Sequence, residues 1–233
     1  MPRNRSEWVI AIDGPSGVGK STISRMLAKR LGFRYIDTGA MYRALAFWAR
    51  HKGVSLEDPV ALSRLGKELD IVYTETVQGL RVLANGKDVT EELRKPGVGE
   101  DASLISRFPE VRRVLVEKQR LLGQRGGVVM EGRDIGSVVF PDADLKIFLD
   151  ADVEERVRRR VLQWKAKGIE VPRERLKDEI QDRDARDSAR ETAPLKVAEG
   201  AVRIDTTRLS KEEVLERIEA CLAKIRESSP GAQ

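Results

Sequence analysis

The sequence predicts an α/β fold, a parallel sheet with helices on both faces. Three observations predict it. Short apolar runs rich in β-branched residues recur at strand length, at residues 8–12, 33–36, 128–130, 145–149 and 202–204. Helical apolar spacing separates or follows them, and that alternation is the pattern of parallel sheets buried on both sides. The chain is also long enough for a full core: it has 233 residues, 40% hydrophobic, and buries about 70% or more of its unfolded surface.

Taken in order, Trp8-Val-Ile-Ala-Ile12 is the first strand, and Gly14-Pro-Ser-Gly-Val-Gly19 breaks it. Ile23, Met26, Leu27 and Leu31 then recur at helical spacing over residues 21–31, until Gly32 stops the helix. The run 33–36 is the next strand, and Asp37-Thr-Gly opens another helix. Residues 69–90 depart from this rhythm. Asp70-Ile-Val-Tyr-Thr74 and Leu80-Arg-Val-Leu-Ala84 alternate polar and apolar, with Asn85-Gly86 as a tight-turn pair before Lys87-Asp-Val89, so a small antiparallel insert is expected. Helical patterns cover residues 110–122, 153–167 and 173–190, the second with Asp152 as its expected N-cap. The last helix starts at Ser210, where Glu213 completes a capping box. Residues 1–7 and 228–233 are expected to fray.

Composition excludes several classes. The chain is too apolar and too balanced in charge to be disordered. No run approaches the ~20 apolar residues of a membrane helix, and because residues 1–7 lead straight into an apolar run of strand length no signal sequence is expected. A single cysteine, Cys221, makes no internal disulfide and suits a reducing cytoplasm. One His with one Cys also excludes a structural zinc site. The net charge of +5 leaves three partners open: nucleic acid, an acidic membrane surface, or a phosphate-bearing small substrate. Its distribution narrows them. Residues 156–190 hold nine Arg and three Lys against seven Asp and Glu, and the other residues sum to zero. That is a local excess, not a coat for nucleic acid.

Gly14, Pro15, Ser16, Gly17, Val18, Gly19, Lys20 and Ser21 fit G-x-x-x-x-G-K-[ST], with Thr22 following. Glycines let backbone N–H groups turn inward around a phosphate, and the helix behind them presents free N–H groups and a positive dipole end. Lys20 reaches the β- and γ-phosphates in such a loop, and Ser21 offers its hydroxyl to Mg²⁺. A strand before it and a helix after it separate this match from an ordinary glycine turn, so phosphoryl transfer or hydrolysis of a nucleoside triphosphate is expected. Other motifs are ambiguous alone. Thr38, Tyr42 and Arg43 open a helix and fit either a phosphate grip or an amphipathic face. Glu131-Gly-Arg133-Asp134 ends a strand at the edge where α/β ligands bind. Arg183, Asp187 and Arg190 recur at i, i+4 and i+7 on one helix face, which is also the pattern of solvated ion pairs.

Together, GPSGVGKST, DTGAMYR, FPEVR, EGRDIGSVVFPDADLKIFLDA and RDARDSAR resemble the bacterial-type cytidylate kinases, from about residue 8 to residue 224. The resemblance implies a P-loop three-layer fold: a five-stranded parallel sheet, a monophosphate-binding insert with a small antiparallel sheet, and a short lid. It implies a single domain with core 8–37, 126–155 and 191–227, a monophosphate-binding region 38–125 with the β insert about 69–90, and a lid about 156–190. It implies transfer of the γ-phosphoryl group of ATP to CMP or dCMP with Mg²⁺. Lys20, Arg43, Arg133 and Arg190 are then the catalytic side chains. Ser103, Arg112 and Asp134 read cytosine, Arg183 and Asp187 hold the sugar, and Thr38 and Tyr42 lie near the monophosphate. Arg159 and Arg160 are ATP-side lid contacts, and Ser21 holds the metal with Glu131 one step further out. A monomer with no nucleic-acid or membrane partner is expected. The alternatives are a P-loop kinase of UMP or another small acceptor and, from a different class, a nucleic-acid-associated NTPase.

Overall fold

A computed structural model describes residues 5–76 and 79–227. The chain runs β1 (Val9–Asp13), α1 (Lys20–Leu31), β2 (Arg34–Asp37), α2 (Thr38–His51), α3 (Pro59–Glu68), β3 (Ile71–Thr76), β4 (Gly79–Ala84), β5 (Lys87–Asp88), α4 (Val98–Ile105), α5 (Pro109–Gly123), β6 (Val128–Glu131), β7 (Leu145–Asp150), α6 (Val153–Lys165), α7 (Arg173–Ser188), β8 (Val202–Asp205) and α8 (Lys211–Glu227). A π-helical turn, Ile135–Val139, lies between β6 and β7. The described residues gather into two compact units. One takes the chain up to Tyr35 and from Gly123 on, and the other is Ile36–Leu122.

The first unit is built on the expected five-stranded parallel sheet, in the order β2-β6-β1-β7-β8. β1 lies at its centre, with Ile12 level with Glu131 on one side and Ile147 on the other. Every residue of β1 and β6 is buried, as expected of strands covered on both faces. Ile10, Ile12, Met130 and Ile147 are among its fully buried side chains, each contributing roughly 1.5–3 kcal/mol by leaving water. Each strand of this sheet ends in an acid: Asp13, Asp37, Glu131, Asp150 and Asp205. The carboxyl edge is therefore lined with carboxylates, and Asp13, Asp37 and Glu131 each hold a group that is taken up below.

In the second unit β3, β4 and β5 form the antiparallel insert, turning through Asn85-Gly86 as the sequence predicts. It packs with α2 and α3 around Leu45, Leu62, Leu69 and Val82.

Local signals are read with small corrections. Ser210 and Glu213 form the reciprocal capping box before α8. Asp152 stands at the N-cap of α6, yet its side chain makes no cap bond. Residues 5–7, expected to fray, form a 3₁₀ turn beside the Gly126-Gly127 bend. Residues 1–4 and 228–233, for which fraying was expected, and residues 77–78 lie outside the described residues. The main correction is that α7 stops at Ser188, so Arg190 is not on the helix with Arg183 and Asp187. The chain folds back instead: the Leu195 N–H donates to the Asp187 carbonyl at 2.8 Å, and this return brings Arg190 alongside.

Candidate active site

Residues 14–19 form the loop from the end of β1 to α1, with Gly19 as the N-cap residue and no side chain capping the helix. The first-turn N–H groups of α1 are left to face a ligand. Gly14 has φ +146°, and a Cβ there would stand 2.1 Å from the Leu149 carbonyl oxygen, so only glycine permits the loop to leave the sheet so close to β7. Lys20 is buried, and its Nζ donates to the Pro15 carbonyl at 2.6 Å. Burial, then the neighbouring Arg133 guanidinium, hold the ammonium well below the usual lysine range, while Glu131 and Asp13 pull the other way. Ser21 is exposed in the first turn of α1, and Thr22 follows it there.

Beside Lys20 lies an arginine cluster organised by Asp187, whose side chain is 1% exposed. Arg133 Nε donates to its Oδ2 at 2.9 Å, Arg190 donates to Oδ1, and Arg183 Nε stands 3.9 Å from Oδ2. Burial pushes the Asp187 carboxyl up, but Arg133, Arg190 and Arg183 together outweigh it and hold the group below the ordinary carboxylate range. Three guanidiniums on one carboxylate leave an excess of positive charge, the electrostatics of an anion receptor.

Asp134 is buried at the turn where β6 meets the π-helical segment. That turn is fixed by Asp13, for which the sequence reading had no role: its Oδ1 accepts from the Ile135 N–H and its Oδ2 from the Gly136 N–H, both at 2.8 Å. An aspartate ending the strand just before a glycine loop was the available signal. Burial pushes the Asp13 carboxyl up to about 7, against the Gly136 and Ile135 N–H groups that lower it. The sign follows. A carboxyl raised in the fold stabilises it at acid pH, and the contribution is lost as pH rises from about 4 through about 7. Asp13→Asn therefore gives a melting temperature that falls less steeply over that window. Thermal unfolding at half-unit pH steps measures it, and identical slopes in the two proteins would contradict the assignment.

Glu131, also buried, accepts from the Tyr35 hydroxyl. Arg159 donates to the Val18 carbonyl at 3.1 Å and to the Thr206 carbonyl at 2.6 Å, and Arg160 donates to Ser16 Oγ at 3.0 Å. Both ATP-side candidates thus lie on the phosphate loop.

In the second unit, Asp37 caps α2, accepting from the Ala40 N–H at 3.0 Å, and its other oxygen takes Arg43 Nη2 at 2.7 Å. The sequence reading has Asp37-Thr-Gly opening this helix, and the structure bears that out; what it did not read is the hold of Asp37 on Arg43. Thr38 is buried at the helix start, and Tyr42 lies 5.9 Å from the buried Arg112 guanidinium. Ser103, Ser106 and Arg112 form a relay. Ser106 Oγ donates to the Ser103 carbonyl at 2.8 Å, and Arg112 donates to the Ser106 carbonyl at 3.3 Å. The Ser103 hydroxyl is buried and has no hydrogen-bond partner among the described residues, an unsatisfied group of the kind that a ligand resolves.

A parallel α/β sheet, a phosphate loop with its lysine, and an arginine receptor within electrostatic reach of that lysine define a P-loop kinase. The comparisons narrow the class. The cytidylate kinase family model matches residues 10–224, and the chain belongs to that family. It is 50% identical over 215 residues to the cytidylate kinase of Caldanaerobacter subterraneus subsp. tengcongensis, covering 92% of this chain and 94% of that one. It is 49% identical over 228 residues to the cytidylate kinase of Geobacter sulfurreducens, covering 98% of each. Among solved structures, a gluconokinase from Sinorhizobium meliloti 1021 aligns with a TM-score of 0.49 and 15% identity over 96% of each chain.

Proposed function

We propose that this chain transfers the γ-phosphoryl group of ATP to CMP or dCMP, giving ADP and CDP or dCDP. Beside the family membership, the observation that carries the reading is the placement of Arg133 and Arg183 within electrostatic reach of Lys20 in one unit. The donor's lysine and arginines suited to an acceptor phosphate then act on one reaction. The phosphate loop and Lys20 bind the ATP phosphates. Arg43, Arg133 and Arg190 take the acceptor phosphate. An acceptor oxygen, already anionic near neutral pH, attacks the γ-phosphorus in line as the bond to the β-phosphate oxygen breaks, so no general base is needed. The exposed Ser21 hydroxyl is a hard oxygen donor of the kind Mg²⁺ takes and would hold the ion together with oxygens of the nucleotide, with Glu131 one step further out. When bound, the ion offsets charge on the transferred group.

Cytosine presents an exocyclic amine that donates, and O2 and N3 that accept. Asp134 accepts from the amine, and Arg112 and Ser103 serve the acceptors. Uracil turns a carbonyl oxygen toward the same carboxylate, an unfavourable meeting of acceptors. Arg183 and Asp187 hold the sugar hydroxyls, since each Asp187 oxygen has a second lone pair beyond its arginine. Arg159 and Arg160 belong to a lid over ATP, and Thr38 and Tyr42 flank the monophosphate. The same reading makes the protein a cytoplasmic monomer without nucleic-acid or membrane partners. No helix among the described residues is long and apolar enough to cross a membrane.

The deciding experiment is coupled ADP release with CMP, dCMP, UMP and AMP side by side. CMP and dCMP are the expected acceptors, and a clear preference for UMP would sink the cytosine reading. Asp134→Ala is expected to reduce the CMP-over-UMP preference by about 10–100-fold, the worth of one buried charged hydrogen bond, with the KM for ATP little changed. Collapse of ATP binding with CMP binding intact would show the two sides to be exchanged.

A further inference from the structure

Arg156 has no part in the reaction just described, yet its side chain is 5% exposed and its guanidinium donates to backbone and carboxylate oxygens. Its Nε donates to the Ala151 carbonyl at 3.1 Å, on the loop between β7 and α6. Its Nη1 donates to the Ser16 carbonyl of the phosphate loop at 3.3 Å and also to Asp184 Oδ2 on α7. The loop is seated directly on it, for a Cβ on Gly17, at φ +85°, would stand 3.1 Å from Arg156 Cβ. Asp184 lies between Arg183 and the Asp187 turn of α7. Beneath these polar contacts, α6 and α7 share a small apolar cluster of Val157, Leu176 and Ile180.

We infer that Arg156 is a positioning residue, a single anchor that holds both the ATP-phosphate loop and the arginine-bearing helix α7 in register. The guanidinium suits this, because a planar fork satisfies acceptors in several directions from one rigid group, which an ammonium on a flexible stem does not. Groups that must meet in one transition state lose efficiency when either is displaced by about an ångström. Arg156 fixes both to the same atom set without touching a substrate. The acceptor half of this inference rests on the proposed function.

The test separates the two legs. Binding of the β,γ-imido analogue of ATP is measured by titration calorimetry, and the KM for CMP by coupled assay, in the unsubstituted chain, Arg156→Met, Arg156→Lys and Asp184→Ala. Arg156→Met is expected to weaken the analogue and raise the CMP KM by about fivefold or more each, and Arg156→Lys to recover part of both. Asp184→Ala cuts only the α7 leg, so it raises the CMP KM and leaves the analogue within about twofold. A role confined to folding lowers the melting temperature and moves neither constant. A folded Arg156→Met with both constants unchanged, or an Asp184→Ala that shifts both alike, overturns the inference. Should Arg156→Met not fold, Arg156→Lys and Asp184→Ala make the same comparison. Preference of the unsubstituted chain for UMP defeats the acceptor reading alone, because analogue binding still decides the loop leg and the KM of the preferred acceptor the other.

Discussion

Replacing Lys20 by methionine lowers kcat by about a thousandfold, the upper range for removing one preorganised charge from a transition state, and leaves the fold standing. The two halves of this expectation have one cause. Lys20 is buried, its ammonium faces the Arg133 and Arg183 guanidiniums, and burial is the largest influence holding its pKa well below the lysine range. The fold therefore bears a cost in keeping that charge, offset in part by the Pro15 carbonyl, Glu131 and Asp13. A triphosphate reverses the balance, because anionic oxygens meet the ammonium where water does not compete. Methionine keeps most of the stem's volume and removes the charge, so the melting temperature of the variant stays level or rises. A general loss of structure would lower both activity and melting temperature. Steady-state turnover with ATP and CMP, beside thermal unfolding of the same preparation, reads the two together. Near-normal turnover would contradict the phosphate-loop role, and a large fall in melting temperature would contradict the electrostatic account of Lys20.

How legible the site was in the sequence follows from the range of the interactions that build it. The phosphate loop is local: strand, glycines, lysine and helix sit within about twenty residues, each type required by backbone geometry, and the structure places them as read. The insert is local too, since alternation and Asn85-Gly86 set its register. The arginines of α6 were half legible. Helical spacing puts Arg156, Arg159 and Arg160 on one side, where the structure turns them to the phosphate loop, and Arg158 off it, bound to Glu155. Nothing local distinguishes Arg156, whose partners other than Ala151 lie 140 residues upstream and 28 downstream. Asp13 was illegible for the same reason, its two N–H partners being 122 and 123 residues away. Arg190 exposes a limit of periodicity. The i, i+7 spacing suggested a helix face, but the helix ends first, and a chain reversal closed by Leu195 does the work that the spacing was credited with.

Asp187→Ala is the substitution expected to damage both stability and acceptor use most. Asp187 is an acid shared by Arg133, Arg183 and Arg190, and the side chains of Arg190 and Arg133 are only 7% and 18% exposed. Removing a buried acid while its cations remain leaves charge uncompensated, which costs about 3–5 kcal/mol, far more than a surface pair contributes. The guanidiniums then repel and spread, so the acceptor loses an arranged receptor as well as a sugar contact, and kcat/KM for CMP falls by about a hundredfold. Asp187→Asn keeps the shape and one acceptor oxygen, and is expected to fall between. The pH dependence has a definite sign. The three arginines hold the Asp187 carboxyl below its ordinary range despite burial, so its stabilisation is present above about pH 4 and is lost as pH falls through the lowered value. Asp187→Asn lacks this acid-side loss and unfolds with a flatter profile below pH 4. Urea unfolding from pH 2.5 to 7, with CMP kinetics at neutral pH, tests each part. Stability and acceptor KM both unchanged in Asp187→Ala would mean that the arginines are arranged without it, and the receptor would have to be attributed to α7 packing alone.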